Sequence, residues 1–303
     1  MNAGTTFKNK TVEMGANINL NNVEWTPIGR NATGFKFEGT FDGNDYTIYN
    51  LKISGGLINY SSNCYKGLFG SCTGSAKLQN FTLMNVDVKG SLNVAAVLGG
   101  SGGAEAAITN VHVTGSVKVY GWWYVGGILG KGYSQISGCS VIGDSPETSY
   151  VKLGIYNDGS GDSAGYVGGI VGFMGEGNQK ITDCTIKNLL VQGNDNGVGG
   201  VSGILHYGNT ISGCTLENVV VWQTGAPDAG TGRIYCGAFA GTYLDNGGKN
   251  CPTLENCTFN GKMYSGVEKN DILEANRYVG SLWYGSEPPA TVNITNCTIV
   301  MPE

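Results

Sequence analysis

The hexapeptide Ile181-Thr-Asp-Cys184-Thr-Ile186 recurs along the chain. Its copies are Ile136-Ser-Gly-Cys139-Ser-Val141, Ile211-Ser-Gly-Cys214-Thr-Leu216, Leu254-Glu-Asn-Cys257-Thr-Phe259 and Ile294-Thr-Asn-Cys297-Thr-Ile299. Three earlier copies place Leu51, Phe81 and Val111 at the cysteine position. That position is therefore an apolar slot, and not a metal ligand or a nucleophile. Successive slots lie 30, 30, 28, 45, 30, 43 and 40 residues apart. A base period of about 30 residues with inserted loops is the signature of stacked repeats.

A second phrase leads each copy. It reads Gly67-Leu-Phe-Gly70, Ala96-Val-Leu-Gly99, Gly127-Ile-Leu-Gly130, Gly169-Ile-Val-Gly172, Gly200-Val-Ser-Gly203 and Ala238-Phe-Ala-Gly241, with a weaker copy at Ser281-Leu-Trp-Tyr284. Apolar residues alternate with Ser, Thr, Asn and Asp inside the cysteine phrases, which is a strand pattern. The alternation slips by one residue just before the cysteine, which predicts a bend or bulge there. No stretch keeps a helical apolar period, so helix should be nearly absent. The expected fold is all-β: a right-handed parallel β-helix, or β-solenoid, of about eight rungs forming one domain over 1–303. Residues 1–50 form a lead-in and cap, with Trp25 capping the core. Residues 51–299 are repeats with loop insertions near 143–165, 223–234, 242–253 and 262–277. The periodicity does not set the handedness, for which the general rule for parallel crossovers is one ground.

Stacked cysteines on neighbouring rungs should lie about 4.8 Å apart, too far for ordinary disulfide geometry, so the column should hold free thiols. Cys64, Cys72, Cys236 and Cys251 lie off the column, and their disulfide state stays open. The net charge of −5 argues against nucleic acid as a partner. No apolar run of about 20 residues is present to span a membrane. Met1-Asn-Ala-Gly4 lacks the features of a signal peptide. An exported protein would have lost that segment, and the last strand phrase implies a covered end or a longer chain.

Trp25-Thr-Pro-Ile-Gly29, then Gly39-Thr-Phe-Asp-Gly-Asn44, then Gly67-Leu-Phe-Gly70 occur in that order. Together these phrases resemble the GLUG-motif proteins, exported repeat proteins common on the surface of gut Bacteroidales. The resemblance covers nearly the whole chain. It is the other ground for the right-handed β-helix. It implies an extracellular or cell-surface β-helical module, adhesin-like, and it brings no catalytic residues.

The search for catalysis is nearly empty. His112 alternates out of an apolar strand toward solvent, and His206 follows a core phrase in a structural role. Neither sits in a polygalacturonase-like motif, and no Asp-Asp pair exists. A non-enzyme is expected, with a polysaccharide lyase or hydrolase as the rival. Asp158, Ser160 and Asp162 are spaced like the start of a calcium loop, but no Glu closes the cage. They read as a solvated loop, and Ca2+ is the one cofactor left open. Tyr124, Tyr166, Tyr235 and Tyr278 each precede the opener of a G-h-h-G strand, with Trp122 and Trp123 at the same corner. Pointing outward, they would stack along one edge. Two uses are open: shielding the core edge, or binding glycans on a host or neighbour-cell surface. A passive stalk is the other non-enzymatic alternative.

Overall fold

The structure, a computed structural model, describes residues 5–29, 36–56, 64–102, 106–154, 165–194, 196–225, 233–244, 250–266, 269, 271–273, 277–281 and 292–302. Among them the regular elements are all strands. They form sheets of eighteen, six and five strands. Pairing is parallel throughout, apart from Thr258–Ser265 against Asp271–Ile272.

Each strand pairs with its counterpart about one repeat away. One line of partners runs through Thr11–Glu13, Thr40–Asp42, Lys77–Lys89, Ala107–Gly121 and Gln135–Ser137. It continues through Lys180–Thr182, Thr210–Ser212, Thr253–Glu255 and Asn293–Thr295. That makes nine tiers, because the lead-in supplies strands of its own. Ile18–Asn19 pairs with Thr47–Ser54. The Trp25 indole donates to the Leu68 carbonyl at 3.0 Å, and Ile28 bridges to Phe69. Trp25 is half-buried against the core. The apolar faces of the three sheets converge on one hydrophobic core.

The slip in alternation has a precise local cause. The residue before the slot takes a left-handed backbone: φ is 56° at Asn80, 53° at Asn110, 60° at Gly138, 53° at Asp183, 62° at Gly213, 54° at Asn256 and 51° at Asn296. Only Gly, Asn and Asp adopt that region readily as single residues. Each corner turns the next side chain inward. The asparagines bond along the stack, with Asn110 Nδ2 donating to Asn80 Oδ1 at 3.1 Å and Asn296 to Asn256 at 3.2 Å.

The slot itself is as expected from Phe81 onward. Phe81 pairs with Val111, and amides one tier on bond to the carbonyls of Cys139, Cys184, Cys214 and Cys257, each at 2.9 Å. Those four cysteines are fully buried and Cys297 is partly exposed. Each thiol donates back to the carbonyl two residues earlier, from 3.2 Å at Cys257 to 3.5 Å at Cys214. None of the nine cysteines forms a disulfide, Cys64, Cys72, Cys236 and Cys251 included. Leu51 requires a correction: it faces Val86, one column over. Tyr46, which follows left-handed Asp45, occupies the slot opposite Phe81. A spacing of 30 selects Leu51, but this repeat is longer, because Thr47 pairs with Thr82.

The G-h-h-G phrases stack in register. Phe69, Leu98, Leu129, Val171, Ser202 and Ala240 form one inward column. The closing glycine is required by backbone contact between the six-stranded and five-stranded sheets. A Cβ on Gly172 would overlap the Val125 amide and lie 2.7 Å from the Gly130 carbonyl oxygen, and one on Gly203 would lie 2.7 Å from the Val167 amide. The last copy of the phrase is Arg277-Tyr-Val-Gly280, not Ser281–Tyr284. Ala240 bridges to Val279, and Gly280 fits against Gly241 and Cys236. Two insertions also hold regular structure. Strand Tyr150–Leu153 lies inside 143–165, between Ala107–Gly121 and Thr185–Gly193. Thr258–Ser265 runs into 262–277.

Gly172→Ala should therefore cost ~1–3 kcal/mol in a urea melt, the range for overpacking a close-packed site. A thiol titration gives a second check. Without reductant, the unfolded chain should react at all nine cysteines, and the native chain only at Cys64, Cys251 and Cys297. A deficit after unfolding would mean disulfides.

Candidate functional site

The aromatic column foreseen at the sheet corner exists only in part. Tyr124 and Tyr166 are register partners, and their rings stack at 6.1 Å with 8° between planes. Phe173 meets both edge-on, at 5.0 and 5.5 Å. The Lys131 ammonium caps Tyr124 at 4.5 Å and Phe173 at 4.9 Å. Trp122 packs on Trp123 at 4.9 Å. The expected exposure is missing. Trp122, Tyr166 and Tyr235 are 5%, 7% and 8% exposed, which leaves Trp123, Tyr124 and Tyr278 half open. Gly197 separates Tyr166 from Tyr235 in the column, since the amides of Val167 and Val198 bond the carbonyls of Gly197 and Tyr235. Tyr278 is not in the column at all. It occupies the inward position of the last G-h-h-G copy, stacks on Phe239 at 6.4 Å and donates its hydroxyl to the Cys297 carbonyl at 3.3 Å. At this corner Trp122, Tyr166 and Tyr235 pack against the core edge, with Trp123 and Tyr124 partly open.

Neither histidine is placed for open chemistry. His112 is half-buried rather than solvent-facing. Its Nδ1 lies 2.8 Å from Ser140 Oγ and its Nε2 2.9 Å from Asn110 Oδ1. Burial lowers its pKa, with Asp45 opposing. The contact has the form of a nucleophile–base pair held by a third group. Ser140, however, is only 6% exposed, so its hydroxyl is largely covered. His206 packs edge-on to Phe173 at 5.2 Å, and both ring nitrogens are buried with no hydrogen-bond partner. Burial first, then the Lys131 ammonium, push its pKa down to about 4. Among the described residues no group of three or more His, Cys, Asp or Glu can hold a metal ion. Asp158, Ser160 and Asp162 lie outside the described residues.

A different face carries open aromatics. On the broad sheet, Lys89, Tyr120, Lys152, Gln192, Trp222 and Tyr264 are successive register partners. They alternate with the fully buried Val88, Val119, Val151, Val191, Val221 and Met263, so they point outward. The column spans five strand steps, about 24 Å. Tyr150 and Lys118 flank it in the neighbouring column. Asp87, Lys89, Tyr120, Tyr150 and Lys152 line a shallow groove of about 330 Å³. Lysine ammoniums sit by these rings: Lys89 is 5.5 Å from Tyr120, Lys152 is 4.6 Å from Tyr150 and Lys269 is 4.6 Å from Trp222. The Trp222 indole donates to Gly266 O at 2.8 Å. Burial raises the phenol pKa of Tyr120 and of Tyr150, the latter further by Asp87. Both phenols thus stay neutral donors at physiological pH. Burial and then Lys269 lower the pKa of Lys152.

Sequence reading missed this face, although its signal was present. Lys118, Tyr120, Lys152, Trp222 and Tyr264 all alternate with inward Val or Met. Their being neighbours depends on Tyr150–Leu153 entering the sheet, and that segment reads as part of a loop.

No family model matches the chain. Over 219 residues it is 30% identical to an immunoglobulin A1 protease of Streptococcus sanguinis, a match that covers 69% of the chain and 10% of that protein. Over 101 residues it is 34% identical to halomucin of Haloquadratum walsbyi, covering 33% of the chain and 1% of halomucin. The chain thus spans about a tenth or less of these relatives' lengths. A crystal structure of a Bacteroides ovatus protein, provisionally assigned as an immunoglobulin A1 protease, matches with a TM-score of 0.61 at 17% identity. The match covers 96% of the chain and 78% of that protein. That likeness is one of fold. No helix among the described residues is long and apolar enough to cross a membrane.

The His206 environment predicts a pH dependence. The unfolded chain binds this proton near pH 6.5 and the folded chain only near 4. The contribution is complete above 6.5, falls as pH drops toward 4 and is flat below, reaching ~3 kcal/mol at most. His206→Phe should lose ~2–3 kcal/mol less stability than the parent between pH 7 and 4.5. Equal losses in chemical denaturation would refute this.

Proposed function

We propose that the chain is a right-handed parallel β-helix of the GLUG-motif type, a non-enzymatic cell-surface or secreted module. It is adhesin-like and binds glycans through an outward aromatic face. The observation that carries this reading is the register-matched column containing Tyr120, Trp222 and Tyr264, with Tyr150 beside it. Sugar rings have apolar faces that stack on such rings and hydroxyls that bond phenols and indoles. Several weak contacts along one stack act together as a multivalent site. The ligand-binding role foreseen for Trp122, Trp123, Tyr124, Tyr166, Tyr235 and Tyr278 passes to this face in our reading, because Trp122, Tyr166 and Tyr235 are buried and Tyr278 leaves the column. The fold supports the solenoid reading: tiers repeat in register, and three sheets share one core.

The protease relative supports an extracellular setting, since its name gives an antibody as its target. The chain matches a tenth of that protein, so the reading gives the chain a recognition or spacer part and places cleavage elsewhere.

The test is retention of the purified chain on a panel of host and dietary polysaccharides, scored also for released sugar ends. Retention should fall at least tenfold in Tyr150→Ala and Trp222→Ala while both variants stay folded. Tyr166→Ala should instead lower stability by ~3 kcal/mol, as for other buried aromatics, and leave retention intact. Loss of retention only in Tyr124→Ala and Tyr166→Ala would return the site to the corner. Immunoglobulin A1 should remain whole on incubation. Cleavage abolished by Ser140→Ala would replace the module reading with an enzyme.

A further inference from the structure

We propose that the lysine–aromatic face takes a polyuronate-type glycan, a chain of sugar rings each bearing a carboxylate. This rests on the glycan-binding reading above and narrows its ligand. The chain carries a net charge of −5, yet the local sign on this face is reversed. Lys89, Lys118 and Lys152 surround Tyr120 and Tyr150, with Asp87 the one acid lining the groove. Lys269 serves Trp222 and Tyr264 in the same way, at 4.6 and 5.8 Å from the ring centroids.

Ring and cation recur together. Tyr150 with Lys152 forms one pairing and Trp222 with Lys269 another. Gln192 lies between them in register, and Lys152 and Trp222 are two strand steps apart, about 10 Å. An occupant that satisfies both must be extended along the stack, flat and apolar on its faces, and negative at repeated intervals. A sugar ring stacked on Tyr150 displaces the ammonium from the ring face. The four-carbon stem of Lys152 lets that ammonium swing to a carboxylate at the sugar's edge, where a charge-assisted hydrogen bond replaces the cation–π contact. A neutral sugar offers no such exchange and leaves the displaced ammonium to water.

The cations are all lysines, since arginine occurs in the chain only at Arg30, Arg233 and Arg277. A lysine ammonium is a point charge that suits one carboxylate oxygen per site, whereas arginine suits bidentate clamping of phosphate or carboxylate.

Calorimetric titration of the full chain tests this with four probes: a hexagalacturonate, its carboxyl-reduced counterpart, a heparin hexasaccharide, and a single-stranded oligonucleotide of matched charge. The hexagalacturonate should bind, its affinity should fall with added salt, and carboxyl reduction should weaken binding at least tenfold. Lys152→Gln and Lys269→Gln should each weaken it three- to tenfold with unchanged melting temperature, and Lys89→Gln is a second variant at the groove. Equal binding of the reduced sugar would overturn the carboxylate requirement and leave glycan binding standing. No binding of either sugar by a folded chain would remove both. Equal or tighter binding of heparin or the oligonucleotide would make the face a general polyanion surface and overturn the uronate assignment.

Discussion

Parallel pairing of each strand with its counterpart one repeat away is the constraint on which the rest depends. It turns every position of the repeat into a column. A residue type that suits one tier then has to suit its neighbours above and below. Asparagine and glycine at the corners, thiols or apolar groups in the slot, and glycine where two sheets touch are each answers to that demand. The glycine requirement is the most rigid. Backbone meets backbone at Gly172 and Gly203, and no side chain can bend away from such a contact.

The same constraint sorts the surface. Inward columns are filled with Val, Ile, Leu, Phe and Cys, and their burial supplies most of the stabilisation, at about 1.5–3 kcal/mol per large apolar side chain. The thiols add little polar energy, since their bonds are weak: each donates to the carbonyl two residues earlier, and Cys139, Cys214 and Cys257 also reach a carbonyl of the preceding tier. Outward columns are free to vary, and chemistry can accumulate there. One outward column is spent on closing a corner, where Tyr124, Tyr166 and Phe173 pack with Lys131 and His206. Another, on the broad sheet, keeps its rings half open beside lysines. The two differ in what covers them, because both contain in-register aromatics.

Much of this was legible in the sequence by itself. The recurring phrases gave strand type, parallel stacking, the inward slot from Phe81 to Cys297 and the bend before it. They worked because period-two alternation and fixed spacing are local properties that the chain carries in its order. Free thiols followed from the spacing of neighbouring strands. What the tertiary structure alone decided is lateral register and cover. It put Tyr46 and not Leu51 in the slot, turned Tyr278 against the edge of the core, inserted Tyr150–Leu153 into the broad sheet and buried Tyr166 and Tyr235. The physical reason is common to all four. Alternation tells a side chain whether it points in or out, but the length of each inserted loop sets which residue lies beside it, and packing from other strands sets whether water reaches it.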